Sequence, residues 1–432
     1  MNKNTISEKS IAEREERGSA GQHQGAAMKK GWETETLGEL CDIRSGSTPS
    51  KGNPAFWDKG VIPWFTIDDM REQGRKISST HQKITQAALS ETSVKLLPED
   101  SVLLCCTASV GEFAITRIPL ATNQQFNGLV VKNKNQLDPN FLFHYASTLK
   151  DELLGLSGKT TINFIPISRL RDVAIPVPPL AEQQRIVGLL DEAFEGIAIA
   201  KANAEKNLQN ARALFESHLQ SVFTQRGKGW VENKLKSITT KIGSGATPRG
   251  GEESYKAEGI SLIRSLNVHD LGFKYAKLAF LDDSQADELS NVEVMPRDVL
   301  LNITGASVAR CTIVPEDVLP ARVNQHVSII RPIADKLDAD FLHYLLISKP
   351  YKDQLLKTGE EGGSTRQAIT KAQIQEFTVE YPVTLKEQKT IVAKLDAIIA
   401  ETQRLANLYQ QKLSALDSLK KSLLHQAFTG QL

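Results

Sequence analysis

Two long stretches of the chain carry apolar residues at alternating steps of four and three. The first runs from position 186 to position 218 and the second from position 391 to position 423. A 3.5-residue apolar period sustained over this length predicts a coiled-coil seam. The alternative is that each helix packs only on its own domain. The predicted seam positions are Ile186, Leu190, Ile197, Ala204 and Leu214 in the first helix, and Ile391, Leu395, Leu405, Leu416 and Leu419 in the second.

The two predicted seams have complementary side-chain volumes. The first is rich in alanine at positions where the second carries leucine, isoleucine and tyrosine. Large residues opposite small ones fill space between neighbouring helices efficiently. The sequence therefore predicts that the two helices pack on each other in an antiparallel arrangement.

The segments before these helices have a different pattern. Short β-branched runs, such as SVLLCCT (101–107) and VSIIRP (327–332), alternate with turns rich in Gly, Pro, Ser and Thr. One helix is indicated in each segment, over FLFHYASTLKDELL (141–154) in the first. Strands bounded by such turns and joined to a helix indicate a compact α/β domain.

The chain is a tandem duplication. GWETETLGELCDIRSGSTPSKG (31–52) recurs as GWVENKLKSITTKIGSGATPRGG (229–251), and LDPNFLFHYAS (137–147) recurs as LDADFLHYLLIS (337–348). The predicted fold is α+β, with two tandem α/β domains separated by two long helices that form an antiparallel coiled coil with pseudo-two-fold symmetry. The predicted order is a disordered polar tail (1–30), domain 1 (31–178), helix 1 (179–226), domain 2 (227–384) and helix 2 (385–432).

Composition restricts the class of protein only broadly. Hydrophobic residues make up 40% of the chain and charged residues 24%, with a net charge of +1. The sequence has no membrane-spanning run and no signal peptide. Its four cysteines lack CxxC spacing, and Cys105-Cys106 lie in a predicted strand. These features predict buried free thiols and a reducing cytoplasm.

GLSGKTT (155–161) resembles a phosphate-binding loop only in part. Gly158-Lys159-Thr160 fits its second half, but Leu153 stands where the first glycine belongs, and a helix rather than a strand precedes it. A nucleotide site here is an alternative that Lys159→Ala would test. The eight histidines show no HxH or HExxH spacing, so the sequence gives no support for a metal site.

The ordered set of motifs resembles the specificity subunit of type I restriction–modification enzymes. It comprises the Trp-anchored start with Gly-x-Thr-Pro, the Asn-Gln element, IPVPPLAEQQRIV (175–187) leading into a long helix, and the closing LLHQAFTGQL (423–432). The resemblance covers nearly the whole chain from about residue 30. The second copy departs from it, with YPVTLKEQ (381–388) in place of IPVPPLAEQ.

The resemblance implies a DNA-recognition subunit that is not catalytic by itself. Each α/β domain would be a target-recognition domain for one half of a bipartite site in double-stranded DNA. The helices would set the spacing and dock two methyltransferase subunits, and two restriction subunits would complete the complex. S-adenosylmethionine, ATP and Mg would then belong to the partner subunits. The rival interpretation is a two-headed protein-interaction scaffold without DNA sequence recognition.

Candidate DNA contacts are cations and polar groups in loops and in the segments where the two copies diverge, REQGRKISSTHQK (71–83) and LGFKYAKLAF (271–280). Asn123-Gln124 and Asn324-Gln325 are shared by both copies, so we interpret them as scaffold residues rather than as determinants of specificity. A basic run is also typical of a merely solvated face. The candidates are Lys51, Arg71, Arg75, Lys76, Lys83, Lys159 and Thr160 in the first copy, and Arg249, Arg264, Lys274, Lys277 and Arg366 in the second.

Overall fold

The computed structural model describes residues 29–156, 164–225, 227, 229–360 and 368–432. Nearly all of the predicted tail (1–30) therefore lies outside the described residues. The chain divides into two compact units. Unit 1 comprises the residues up to Ala202 together with Leu413–Leu432, and unit 2 comprises Asn203–Lys412.

Unit 1 is built on a five-stranded sheet, ordered β2-β9-β6-β7-β4, and a three-stranded sheet, ordered β5-β3-β8. The strands are β1 (Glu33–Thr36), β2 (Cys41–Ser45), β3 (Ile62–Phe65), β4 (Lys76–Ile77), β5 (Gln82–Ile84), β6 (Val102–Cys105), β7 (Phe113–Thr116), β8 (Ala121–Thr122), β9 (Phe126–Val131) and β10 (Ala174–Val177). The helices are α1 (Leu37–Leu40), α2 (Ile67–Gln73), α3 (Gln86–Glu91), α4 (Pro139–Ala146), α5 (Lys150–Leu156), α6 (Ile167–Arg171) and the first part of α7 (Leu180–Thr224).

Unit 2 repeats this plan with two four-stranded sheets, ordered β12-β21-β18-β19 and β16-β13-β20-β17. The strands are β11 (Trp230–Lys234), β12 (Thr239–Ser244), β13 (Ile260–Ile263), β14 (Val268–His269), β15 (Gly272–Phe273), β16 (Ala279–Leu281), β17 (Glu293–Val294), β18 (Val299–Asn302), β19 (Cys311–Ile313), β20 (Ala321–Val323), β21 (Val327–Pro332) and β22 (Thr378–Pro382). The helices are α8 (Leu235–Ile238), α9 (Asp283–Glu288), α10 (Ala339–Ile347), α11 (Lys349–Glu360), α12 (Lys371–Glu376) and α13 (Leu385–Phe428), whose last part belongs to unit 1.

In each unit, the duplicated Trp-containing start pairs with the strand that precedes a long helix. β1 runs antiparallel to β10, with Glu33 opposite Val177, and β11 runs antiparallel to β22, with Trp230 opposite Pro382. The first and last segments of each sequence repeat are thereby joined by backbone hydrogen bonds. This pairing fixes where each long helix leaves its domain.

In each unit, a buried glutamine fixes the start of the long helix to the rest of that unit. The Gln183 side chain accepts from the Asp138 amide at 2.8 Å and donates to the carbonyls of Gln136 and Pro178, both at 2.8 Å. In unit 2, Gln388 makes the equivalent bonds to Asp338, Lys336 and Pro382. Both glutamines are fully buried, and their side-chain oxygen and nitrogen are hydrogen-bonded.

The two long helices run antiparallel where they meet in unit 1. Lys201 on α7 pairs with Asp417 on α13 at 2.6 Å, and the ammonium of Lys420 lies 4.7 Å from the ring centre of Phe194. Residue numbers thus rise along one helix as they fall along the other. At the end of α13, Phe428 packs edge-on against Phe141 of α4, with ring centres 5.2 Å apart.

Two of the predicted seam positions do not belong to the buried face. Leu214 is 55% exposed and Leu419 is 47% exposed. Beyond Ala211 the buried positions on α7 are Phe215, Leu219 and Phe223, because these residues join the hydrophobic core of unit 2. Steps of four displace the face by one position from the predicted period. On α13 near Leu419, the buried residues are Leu424 and Ala427 instead.

The other eight predicted seam positions lie on or beside the buried face. Ile186, Leu190, Ile197, Ala204 and Leu395 are buried, and Ile391, Leu405 and Leu416 are half-buried.

The single helix predicted over residues 141–154 is wrong, because the structure has two helices there. α4 ends at Ala146 and α5 begins at Lys150. The hydroxyls of Ser147 and Thr148 donate to the carbonyls of His144 and Tyr145, at 2.6 and 2.8 Å. These side-chain bonds compete with the next helical turn and end α4.

The prediction of buried free thiols is confirmed. Cys41, Cys105, Cys106 and Cys311 are all free and buried. Burial raises the pKa of Cys41 to about 12 and that of Cys106 to about 11. These thiols therefore act as small apolar core residues.

A buried histidine makes the stability of unit 1 sensitive to acid. His144 Nε2 lies 3.2 Å from Asp191 on α7, and Lys76 contacts the same carboxylate at 3.5 Å. Burial lowers the pKa of His144 below its usual 6.5, although Asp191 opposes that shift. Well above pH 6.5 the ring is neutral in both the folded and the unfolded states. As the pH falls below that value, the unfolded state takes up the proton first, so the free energy of unfolding decreases.

We expect His144→Tyr to reduce this acid sensitivity. Tyr344 occupies the equivalent position in unit 2 and donates to Asp396 at 2.6 Å. A tyrosine at 144 should bond Asp191 in the same way without titrating in this range. Urea unfolding between about pH 8 and pH 5 measures the change. A variant that loses as much stability in acid as the parent would show that another group carries the effect.

Candidate nucleic-acid interface

A turn and a loop that both copies share are joined by side chains. Thr48 donates to Gln124 in unit 1, and Thr247 donates to Gln325 in unit 2. The Gly-x-Thr-Pro turn lies so close to this loop that a Cβ at Gly46 would stand 1.9 Å from the Asn123 carbonyl oxygen.

The asparagines that both copies share stabilise the same loops through hydrogen bonds inside each loop. The side-chain oxygen of Asn123 accepts from the amide of Gln125 at 3.0 Å, and that of Asn324 accepts from the amide of His326 at 3.1 Å. These contacts support the interpretation of both Asn-Gln pairs as scaffold residues.

Lys51 is held between two tryptophans. Its ammonium lies 3.6 Å from the ring centre of Trp57 and 4.6 Å from that of Trp64, and it donates to Gln82 at 2.6 Å. Burial lowers the pKa of Lys51. The side chain is thus fixed by cation–π contacts and a hydrogen bond beside the Gly-x-Thr-Pro turn.

The other unit 1 candidates face in different directions. Arg75 pairs with Glu112 at 2.9 Å and stacks 4.1 Å from the ring centre of Phe113. Lys76 reaches Asp191 on α7, so both side chains lie against other parts of unit 1. Arg71 pairs with Asp68 at 3.1 Å on the exposed side of α2, and Lys83 is exposed on β5.

Three unit 2 candidates gather in one compact segment. Arg264 donates to the Lys277 carbonyl at 2.7 Å and pairs with Glu252 at 2.6 Å. The buried Asn267 side chain donates to the carbonyl of Lys274, also at 2.7 Å. These bonds fix the backbone that carries Lys274 and Lys277, whose side chains are exposed. Arg249 is exposed in the turn that precedes Glu252.

The diverging segments of the two copies adopt different structures. In unit 1 the segment 71–83 contains the end of α2, β4 and most of β5, whereas in unit 2 the segment 271–280 contains β15, which is the second strand of the hairpin β14–β15, and most of β16. The sequence did not single out Asp270, which anchors this hairpin. Its partners Cys311 and Lys352 are distant in sequence, so no local pattern pointed to it.

Lys159, Thr160 and Arg366 lie outside the described residues, as does most of the Gly-rich segments GLSGKTT (155–161) and GEEGGSTRQAIT (359–370). Among the residues that are described, none form a cluster of three or more His, Cys, Asp or Glu arranged to hold a metal ion. No helix within the described ranges is both long and apolar enough to cross a membrane.

The fold and the candidate site define a duplicated α/β protein in which each copy carries a diverging segment with exposed cations and contributes to long antiparallel helices. The family model of the type I restriction modification DNA specificity domain matches the chain twice, over residues 29–210 and 227–413. The chain belongs to this family.

Individual relatives agree with the family match. The EcoprrI specificity subunit of Escherichia coli is 34% identical over 165 residues, which span 36% of this chain and 41% of that relative, less than half of each. The StySPI specificity subunit of Salmonella potsdam is 21% identical over 94% of this chain and 90% of its own length. A solved chain from work on assembly and conformational transition of the type I R-M system has a TM-score of 0.74 at 22% identity, covering 94% of this chain and all of the other, and shows the same fold.

Proposed function

We propose that this chain is the DNA sequence-specificity subunit of a type I restriction–modification complex. The observation that carries the proposal is that the DNA specificity domain occurs twice, once for each structural unit. Each unit would recognise one half of a bipartite site in double-stranded DNA. Different half-sites require different contacts, and the two units differ in the structure of their diverging segments.

The long helices would set the distance between the half-sites and dock two methyltransferase subunits. A helix rises about 1.5 Å per residue, so the 45 residues of α7 extend over about 68 Å. Two restriction subunits would complete the complex. Catalysis, with S-adenosylmethionine, ATP and Mg, would reside on these partners, and the assembled enzyme would act on cellular and phage DNA in the cytoplasm.

Among the candidate residues, we propose that Arg71, Lys83, Arg249, Lys274 and Lys277 contact DNA. Each is exposed on its unit, whereas the equally exposed Lys51, Arg75 and Lys76 are engaged by distant residues of unit 1. Arg264 would act indirectly by holding the Lys277 backbone. Arg75 and Lys76 are proposed to stabilise unit 1 through Glu112 and Asp191. Lys51 would stabilise the C-terminal end of the Gly-x-Thr-Pro turn.

Binding measured as salt rises tests the proposal against the protein-scaffold alternative. The chain co-purified with its methyltransferase subunit should bind a duplex carrying its motif, and the affinity should fall steeply between about 50 and 200 mM salt through counterion release. A complex that binds no duplex at low salt would contradict the proposal. The scaffold interpretation would then be favoured.

We expect Lys274→Ala and Lys277→Ala each to reduce the slope of log K against log salt by about 0.9, which is the release expected for one phosphate contact. The matched control is Lys349→Ala, which removes an exposed lysine paired with Asp353 on α11 of the same unit. Fluorescence anisotropy across a salt series gives the slopes. Slopes equal to that of the parent in both variants would remove these lysines from the interface.

A further inference from the structure

The hairpin β14–β15 stands on a rigid base. Its strands pair Val268 with Phe273 and His269 with Gly272, leaving Asp270 and Leu271 as the turn. The carbonyl oxygen of Asp270 accepts from His343 Nε2 of α10 at 2.9 Å. Its carboxylate accepts from the Cys311 amide of β19 at 3.0 Å and pairs with Lys352 of α11. Contacts from three elements therefore fix one of the two turn residues.

The other turn residue projects an apolar side chain into solvent. Leu271 is 61% exposed, and Tyr275 is 52% exposed on the same loop. The Tyr275 ring packs edge-on against Phe273, with ring centres 5.2 Å apart, and its hydroxyl donates to Asp317 at 3.0 Å. The exposed Leu271 side chain contributes nothing to the stability of the fold, although the backbone that carries it is fixed.

Cations surround this apolar tip. Lys274 follows the hairpin directly, and its backbone is held by Asn267. Arg310 directly precedes Cys311, whose amide is bonded to Asp270 in the turn. Burial, then Lys274 and Arg310, lower the pKa of His269. Lys277 is held by Arg264 a short distance along the chain. An apolar side chain flanked by positive charges is complementary to double-stranded DNA, which has negative phosphates and stacked bases with apolar faces.

We propose that Leu271 is a wedge that inserts between neighbouring base pairs of the half-site recognised by unit 2. Lys274 and Lys277 hold the flanking phosphates. This inference rests on the proposed DNA-recognition function. Apolar side chains that enter a base step unstack it and kink the duplex, at a cost that depends on the sequence of that step. Pyrimidine–purine steps deform most easily, so Leu271 contributes to specificity without hydrogen bonds to bases.

The position of the hairpin favours DNA over a protein subunit as the occupant. A partner subunit that docks on both copies needs similar surfaces on both. Counted from the starts of β3 and β13, the position of Leu271 is occupied in unit 1 by Gln73, the polar last residue of α2. The hairpin tip belongs to one copy only and lies where the two copies diverge. A ligand that differs between the two units, such as one half-site, fits this placement.

The test uses 2-aminopurine, whose fluorescence rises when it is unstacked. The complex of full-length chain and methyltransferase subunit is titrated onto duplexes carrying the methylated motif, with 2-aminopurine at successive positions of the half assigned to unit 2. Away from the target adenine, which the methyltransferase subunit itself takes out of the stack, we expect a fluorescence rise at one step. Leu271→Ala should abolish the rise and weaken binding roughly tenfold, whereas Leu271→Ile should retain both. Lys274→Ala should weaken binding but keep the rise.

The matched control is Met295→Ala. Met295 is 43% exposed and lies shortly before β18. Asn302, whose side chain contacts the segment leading to the hairpin, lies at the opposite end of that strand. Met295→Ala should leave binding and fluorescence unchanged.

Binding of the parent complex without a fluorescence rise at any step away from the target adenine would overturn the wedge and leave the proposed function standing. An absence of DNA binding by the parent would overturn both. Loss of methyltransferase assembly in Leu271→Ala, with DNA binding intact, would show that the tip is a protein-docking surface and not a wedge.

Discussion

Replacing Gln183 by alanine is expected to lower the free energy of unfolding of unit 1 by about 3 kcal/mol. The change removes three hydrogen bonds of 2.8 Å and leaves the Asp138 amide and two carbonyls without this partner in a buried site. Hydrogen exchange at the start of α4 gives a local measurement, because the Asp138 amide loses its acceptor. Gln388→Ala should have the same effect on unit 2, at the amide of Asp338.

The control for Gln183 is its neighbour Gln184, which is exposed. Gln184→Ala should leave unfolding and exchange within error of the parent. If Gln183→Ala had no larger effect than Gln184→Ala, the glutamine would not be what secures the start of the long helix. The proposed spacing function would then depend on the β1–β10 pairing alone.

Asp298→Asn is expected to destabilise unit 2 by about 3–4 kcal/mol. Asp298 is fully buried and accepts two bonds of 2.7 Å from Arg331 and one of 2.8 Å from the Met295 amide. Asparagine keeps the shape of the aspartate side chain but removes its negative charge. That charge faces the guanidinium of Arg331, which is only partly solvated. Arg331 then loses the partner that raises its pKa.

An exposed ion pair in the same unit supplies the comparison for Asp298. Arg297 contacts Asp340 at 2.6 Å, but both side chains are substantially exposed. Asp340→Asn should cost less than about 1 kcal/mol. Equal costs for the two substitutions in urea unfolding would show that the buried pair is worth no more than the surface pair.

The sequence was most informative where a pattern repeats. The duplication and the long helices follow from recurring motifs and from a period of 3.5, and the helices extend over Leu180–Thr224 and Leu385–Phe428. The period failed at Leu214 because Phe215, one residue further on, fills the aromatic core of unit 2. Such a shift depends on the shape of a core assembled from distant segments, which helix periodicity does not encode.

The candidate site was harder to predict because its contacts join residues far apart in sequence. Lys51 was predicted to reach phosphate, yet its position depends on Trp57, Trp64 and Gln82. Closely spaced tryptophans were the available signal for that arrangement. Anchoring of the hairpin by Asp270 requires His343 and Lys352, and no local pattern connects these residues. The divergence between the copies did predict DNA contacts in the segment that carries Lys274 and Lys277.

The central claim is that each unit recognises its own half of one DNA site. The most direct measurement maps methylated adenines genome-wide in cells that express this chain with its methyltransferase subunit, before and after residues 31–178 are exchanged for those of another specificity subunit. We expect a single bipartite motif with a fixed gap, and the exchange should change one half while the other half and the gap persist. An exchange that alters both halves or neither would contradict the account. So would a stable complex that methylates no DNA although its methyltransferase is active with another specificity subunit.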